Sequence, residues 1–151
     1  MDEELRDRAA IAGLLHAYCR LVDENRPRDV VELFTPHAVF DYGFGRVFVG
    51  TASLVEMLTA GLARSEATSH LLGNIEIDVQ QDGAQVRSVV HAWHRRVGGE
   101  EVHLWGRYTD EVVRDGGGRW RFASRVLRAA GERHDPPRPM DEPTYERLPR
   151  A

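Results

Sequence analysis

Apolar residues recur at every third or fourth position near the start of the chain. Ile11, Leu14, Leu15, Tyr18, Leu21 and Val22 fall on one stripe at the 3.6-residue period, which predicts an amphipathic helix from about Asp2 to Asp23. Asn25 and Pro27 stop that helix and start another, because proline is tolerated in the first turn of a helix; the second helix is expected over Arg28 to Phe34, before Pro36. Ala38 to Tyr42 and Arg46 to Val49 read as two strands around Gly43-Phe44-Gly45. Leu54, Met57, Leu58 and Leu62 place a third helix over about Ser53 to Ala63. After Glu66 the period shortens to that of strands. Thr68 to Gln80, Ala84 to Val97, Glu101 to Arg114 and Arg119 to Ala130 form four long runs, separated by the turn signals Gln81-Asp82-Gly83, Gly98-Gly99 and Asp115-Gly116-Gly117-Gly118.

Short glycine turns between long strands imply antiparallel hairpins rather than parallel units with helical crossovers. The order α-α-β-β-α-β-β-β-β predicts an α+β fold, with helices set against a strongly bent sheet. Strands this long need bulges to bend. One is expected near Gly73-Asn74, where strict alternation would put His70 and Ile75 on opposite faces. From Glu132 the chain turns polar and proline-rich. The expected division is a domain over 1–131 and a tail over 132–151, disordered or extended over a neighbour.

Composition narrows the classes. A chain of 151 residues, 42% hydrophobic and 29% charged, is long enough for one domain with a real core and too apolar to be disordered. Its net charge of −4, with arginines scattered among acids, argues against nucleic acid as a partner. No apolar run reaches the length that crosses a bilayer, and the charged start MDEELRDRAA lacks the apolar core of a signal peptide, so a cytoplasmic location is expected. The lone Cys19 excludes an intramolecular disulfide and sits in no nucleophile motif.

The candidate chemistry lies in ionisable residues set inside these apolar elements. Asp23 closes the first helix, while His70 and His94 fall within consecutive strands. A carboxylate that accepts one ring N–H of a histidine fixes its tautomer and leaves the other nitrogen to take a proton from carbon. On the residues alone, plainer readings are the stronger: Asp23 as a solvated helix end, His70 as a core histidine on a backbone carbonyl. Tyr18 packs in the apolar stripe whatever its hydroxyl does, and that hydroxyl would polarise a substrate oxygen. His94 reads either as a general acid or as a strand-end residue near solvent, and a shift of register would put His91 in its place. Asn74 is a substrate hydrogen-bonding candidate, with a bulge residue the stronger reading. Arg125 would bind an anionic group or, as arginines on sheets more often do, pair with a surface carboxylate. No metal site is expected: His91 and His94 would serve as ligands on a helix, but in a strand residues three apart face opposite ways, and a set drawn from His70, His94 and His103 is the weaker reading.

Several of these segments together resemble a known family. The helix ending in Tyr18-x4-Asp23, then DVVELFTPHAVFD, SHLLGN and GRYTDEVVRDGGGRWRF, over about Leu5 to Leu127, resembles the SnoaL-like members of the nuclear transport factor 2-like superfamily. The resemblance implies a cone-shaped α+β barrel, three helices in a highly curved, mostly antiparallel sheet around a deep apolar pocket. It is closest to the group containing scytalone dehydratase, bile-acid dehydratase and hexachlorocyclohexane dehydrochlorinase. Membership in that group implies elimination by a histidine base oriented by an aspartate, with His70 and Asp23 at the matching positions. Tyr18 then matches a position held by tyrosine or lysine, His94 a second pocket histidine, and Arg125 a pocket arginine. The implied protein is a cofactor-independent lyase acting on a hydrophobic, cyclic, hydroxylated small molecule, and a homo-oligomer, dimer or trimer. The same scaffold also hosts isomerases, polyketide-type cyclases and non-catalytic binding modules.

Overall fold

In the computed structural model, which describes residues 3–137 and 148–149, the first helix α1 runs from Glu3 to Asp23 and buries the whole predicted stripe together with Cys19. Its end is shaped by backbone hydrogen bonds. The Arg26 N–H donates to the Leu21 carbonyl at 2.9 Å and the Asn25 N–H to the Val22 carbonyl at 3.0 Å, while Asn25 takes a φ of 57°. That is a Schellman closure with asparagine in the left-handed position, and it fixes Asp23 in the last helical turn. The Asn25 side-chain amide also donates to the carbonyls of Leu148 and Pro149, so a short piece of the tail is tied beside this corner.

Pro27 then opens α2 (Pro27–Val31), which is shorter than expected. Phe34 belongs instead to β1 (Phe34–Asp41), pairing with Phe122 of the last strand. Pro36 has no N–H to give a ladder and lies where the register shifts between Phe34 and Val39, a position a strand proline tolerates. Next come β2 (Val47–Val49) and α3 (Gly50–Ala63). The four long strands follow as β3 (Ser65–Gln80), β4 (Gly83–Arg96), β5 (Glu101–Arg114) and β6 (Trp120–Asp135). The element order is the one the hydrophobic pattern predicts.

One six-stranded sheet in the order β2-β1-β6-β5-β4-β3 holds all the strands; every neighbouring pair is antiparallel except β1 with β6. The sheet is curved and unclosed. Register shifts at Ser65/Ala67, Gly73/Glu76, Trp105/Gly106 and Glu111/Val112 supply the bends, including the one expected at Gly73-Asn74. The expected domain boundary moves: residues 132–135 continue β6, pairing with Glu101 to Leu104. Of the remaining tail, 138–147 and 150–151 lie outside the described residues.

The concave face of the sheet meets α1 and α3 over a core that includes Ile11, Leu15, Val30, Phe40, Leu54, Val90 and Phe122, all with no exposed surface. Each such side chain contributes about 1.5–3 kcal/mol of burial. Alternation along β4 and β5 sends Val86, Val90, Ala92, Tyr108 and Val112 inward and His91, Trp93, His103 and Trp105 to the outer face. Packing of α1 on β3 is what brings the end of the helix to Thr68 and His70. Among the described residues no helix is long and apolar enough to cross a membrane.

Candidate active site

Asp23 sits where a negative charge is poorly placed, since the carbonyl end of a helix carries partial negative charge. Three donors from β3 offset that. Thr68 Oγ1 donates to Asp23 Oδ1 at 2.9 Å, the His70 backbone N–H donates to Oδ2 at 3.0 Å, and His70 Nδ1 lies 2.7 Å from Oδ1. Both partners are largely shielded, with the His70 side chain 7% and the Asp23 side chain 20% exposed. An ionised carboxylate only accepts, so Nδ1 carries the proton and Nε2 is the basic nitrogen. Nε2 has no hydrogen-bond partner among the described residues.

His94 faces the same side. Its Cα pairs with that of Thr68, its ring stands 5.4 Å from that of His70 at 70°, and its Nδ1 lies 3.4 Å from Ser65 Oγ, which accepts from Arg96 Nη1. His91 points to the outer face, where it stacks on Trp105. The strand register thus separates the two histidines that spacing alone leaves interchangeable.

The structure does not bring the other candidates to this pair. Tyr18 is 2% exposed, and its ring neighbours are Phe34, Phe40, Tyr108 and Phe122. Burial, then the neighbouring Tyr108 and Tyr42, push its phenol well above the usual tyrosine range, so it stays protonated and serves only as a donor or acceptor, never as a base. Arg125 is fully buried and pairs with Asp110, also fully buried, through two bonds of 2.8 Å. The guanidinium lies over the rings of Tyr18, Tyr108 and Phe122, each 4.1 to 4.3 Å away. Burial works against its charge, but the Asp110 carboxylate outweighs it and holds Arg125 above the ordinary arginine range. One nitrogen, Nη1, has no hydrogen-bond partner among the described residues. Arg125 is therefore neither a surface residue nor a neighbour of His70. Asn74 is exposed, at a φ of 47° on the bulge between Gly73 and Glu76.

Thr68 and Ser65 are the site residues that motif reading passes over. Thr68 stands two positions before His70, on the same face of the strand, so the period-2 rule was the signal for it. Ser65 is brought round by the bulge between Ser65 and Ala67, which no local pattern announces. Aromatic rings surround Tyr18 in the interior. Two clefts of about 420 and 460 Å³, sharing Asp7, Arg114 and Trp120, lie at the opposite end of α1 and include none of the Asp23, His70 or His94 side chains.

This geometry can be set against known proteins. The SnoaL-like domain family matches residues 3–126. A Novosphingobium aromaticivorans protein provisionally named scytalone dehydratase is 29% identical, with a TM-score of 0.82 over 94% of this chain and 96% of that one. A second protein of that organism, provisionally named an aromatic ring hydroxylase, is 31% identical, with a TM-score of 0.80 over 87% and 94%. The hexachlorocyclohexane dehydrochlorinase type 3 of Novosphingobium barchaimii shares the fold, at 19% identity and a TM-score of 0.81 over 93% and 97%. Three different names on one scaffold show why the fold does not assign the reaction. With the family match over most of its length, and helices and curved sheet to accompany it, the chain belongs to the SnoaL-like family of the nuclear transport factor 2-like superfamily.

Proposed function

We propose that this protein is a small cofactor-independent lyase that eliminates water from a hydrophobic, cyclic, hydroxylated molecule. The observation that carries this is the Asp23–His70 pair: a carboxylate satisfied by three donors, fixing a shielded imidazole whose Nε2 is left for a proton. His70 Nε2 takes a proton from the carbon next to a carbonyl. The C–H electrons form the new C=C bond, the neighbouring C–O bond breaks, and hydroxide leaves as water with a proton from His94. Asp23 stabilises the imidazolium that forms and holds its orientation, and Thr68 holds Asp23. Tyr18 and Arg125 belong to the buried aromatic core and take no part in this step. The proteins named for dehydration and dehydrochlorination on this fold are in keeping with an elimination.

The test is proton abstraction itself. The full chain is incubated in D2O with a panel of cyclic ketones and β-hydroxy ketones, read by NMR for deuterium entering next to the carbonyl and by ultraviolet absorption for the conjugated enone. Enone formation that disappears in both His70→Ala and Asp23→Asn supports elimination. Deuterium exchange without loss of water supports an isomerase or cyclase using the same base. Full activity in both variants overturns the mechanism. The ring packing around Tyr18 favours a second reading, a binding module, for which ligands would bind with neither exchange nor product. Association into a dimer or trimer through the outer face of the sheet, where Val89 and Trp105 are exposed, is part of the proposal and is checked by light scattering.

A further inference from the structure

On the face of the sheet opposite His70, we infer that Glu101, His103 and Asp135 form a binding site for a divalent transition cation of the zinc class. Glu101 and His103 stand two apart on β5 and so share a face, and the antiparallel register puts Asp135 of β6 directly across from Glu101. His103 Nε2 lies 3.8 Å from Glu101 Oε2 and 3.8 Å from Asp135 Oδ2, and one ligand atom from each residue falls within 4.8 Å of the others. Ligand atoms about 2.1 Å from a tetrahedral ion sit about 3.4 Å apart, so small rotamer changes close the set. One imidazole with two carboxylates suits zinc, cobalt or nickel, whereas calcium and magnesium prefer oxygen alone.

The surroundings are arranged as a metal ligand set needs. The other nitrogen of His103, Nδ1, lies 3.1 Å from His91 Nε2, so its N–H has an acceptor when Nε2 binds a cation. Trp93 Nε1 donates to Glu101 Oε2 at 3.1 Å. His91, His103 and Trp105 stack within 14° of parallel, which fixes the plane of the ligating ring. Two cations compete: Arg133 pairs with Asp135 at 3.1 Å, and Arg95 stands across the ladder from Glu101. A bound ion must displace Arg133 from Asp135, so moderate affinity is expected.

The site is independent of the proposed elimination, so the two fail separately. Tag-free full-length protein is titrated with Zn2+ by calorimetry, and its thermal midpoint is followed at rising Zn2+. One ion per chain is expected, with a midpoint rise of about 5–10 °C once Zn2+ reaches a hundred times its Kd. His103→Gln and Asp135→Asn should each remove that rise and the stoichiometric heat, whereas His70→Ala with His94→Ala should leave both unchanged. Co2+ bound by the unaltered chain should show ligand-field absorption that His103→Gln abolishes, and Mg2+ should produce no midpoint shift. No stoichiometric Zn2+ binding, binding that survives both outer-face variants, or binding lost in the His70/His94 variant overturns the assignment.

Discussion

Two aspartates hold a basic partner inside this fold, and they do so to opposite ends. Asp110 and Arg125 have no exposed side-chain surface, meet through two parallel hydrogen bonds and cancel each other's charge. Asp23 and His70 lie nearer the surface, and after Asp23 has taken its three donors the imidazole still has a nitrogen to offer. A closed ion pair in a core organises packing; a titratable ring held firmly on one side and open on the other can move a proton. Removing a partner from each pair should therefore damage different properties.

The largest effect is expected at the open pair. His70→Ala should lower turnover on any substrate found by the exchange assay by about 10²–10⁴-fold, the usual contribution of a positioned acid–base group. Its urea midpoint should stay close to that of the unaltered protein, because the ring packs near the edge of the core. Equal losses of activity and stability would mean that the two pairs are not different in kind. Asp110→Ala should show the converse. Stranding Arg125 as an unpaired buried cation costs about 3–5 kcal/mol in urea unfolding, while Asp110→Leu with Arg125→Met together should recover most of it. A cost below about 1 kcal/mol for Asp110→Ala would remove the argument that the pair is architectural.

Thr68→Val sharpens the comparison within the open pair. Valine keeps the shape of threonine and deletes the hydroxyl that donates to Asp23. Losing one hydrogen bond to a charged group, about 1.5–3 kcal/mol of stability, should lower the thermal midpoint and, by loosening Asp23, lower turnover as well. An unchanged rate would show that the two contacts from His70 suffice to hold Asp23.

The hydrophobic period made the fold legible because it reports which side chains face the core. The limits of β5 and the end of β3 follow from it directly. It is silent where a strand continues without apolar side chains: residues 132–134 of β6 are exposed, show no apolar alternation and read as tail. Asp23 and His70 were legible only through their resemblance to a family pattern, since a carboxylate at a helix end and a strand histidine have commoner roles. Arg125 and Asp110 were not legible as a pair. Their register depends on the extra residue that the bulge at Glu111/Val112 inserts in β6, and a one-residue slip sends a side chain to the other face.

Cys19 lies where both pairs can be sensed at once, and it supports the smallest of the expected effects. Burial, the largest influence, pushes its thiol up to about 11; Arg125 pulls it down, and Asp23 and Asp110 each push it up further. At pH 8 only a very small fraction is thiolate, so alkylation of the native chain by iodoacetamide should be far slower than in urea, where the thiol returns to its ordinary range. Asp23→Asn removes one of the two negative influences, so it should lower the thiol pKa and speed alkylation, by less than about tenfold across this screened distance. Acceleration at an unchanged urea midpoint reads the Asp23 charge separately from any loosening of the fold. Unchanged or slower alkylation in Asp23→Asn would place Cys19 outside the field of Asp23, and a native rate equal to the unfolded one would show that burial does not hold the thiol up.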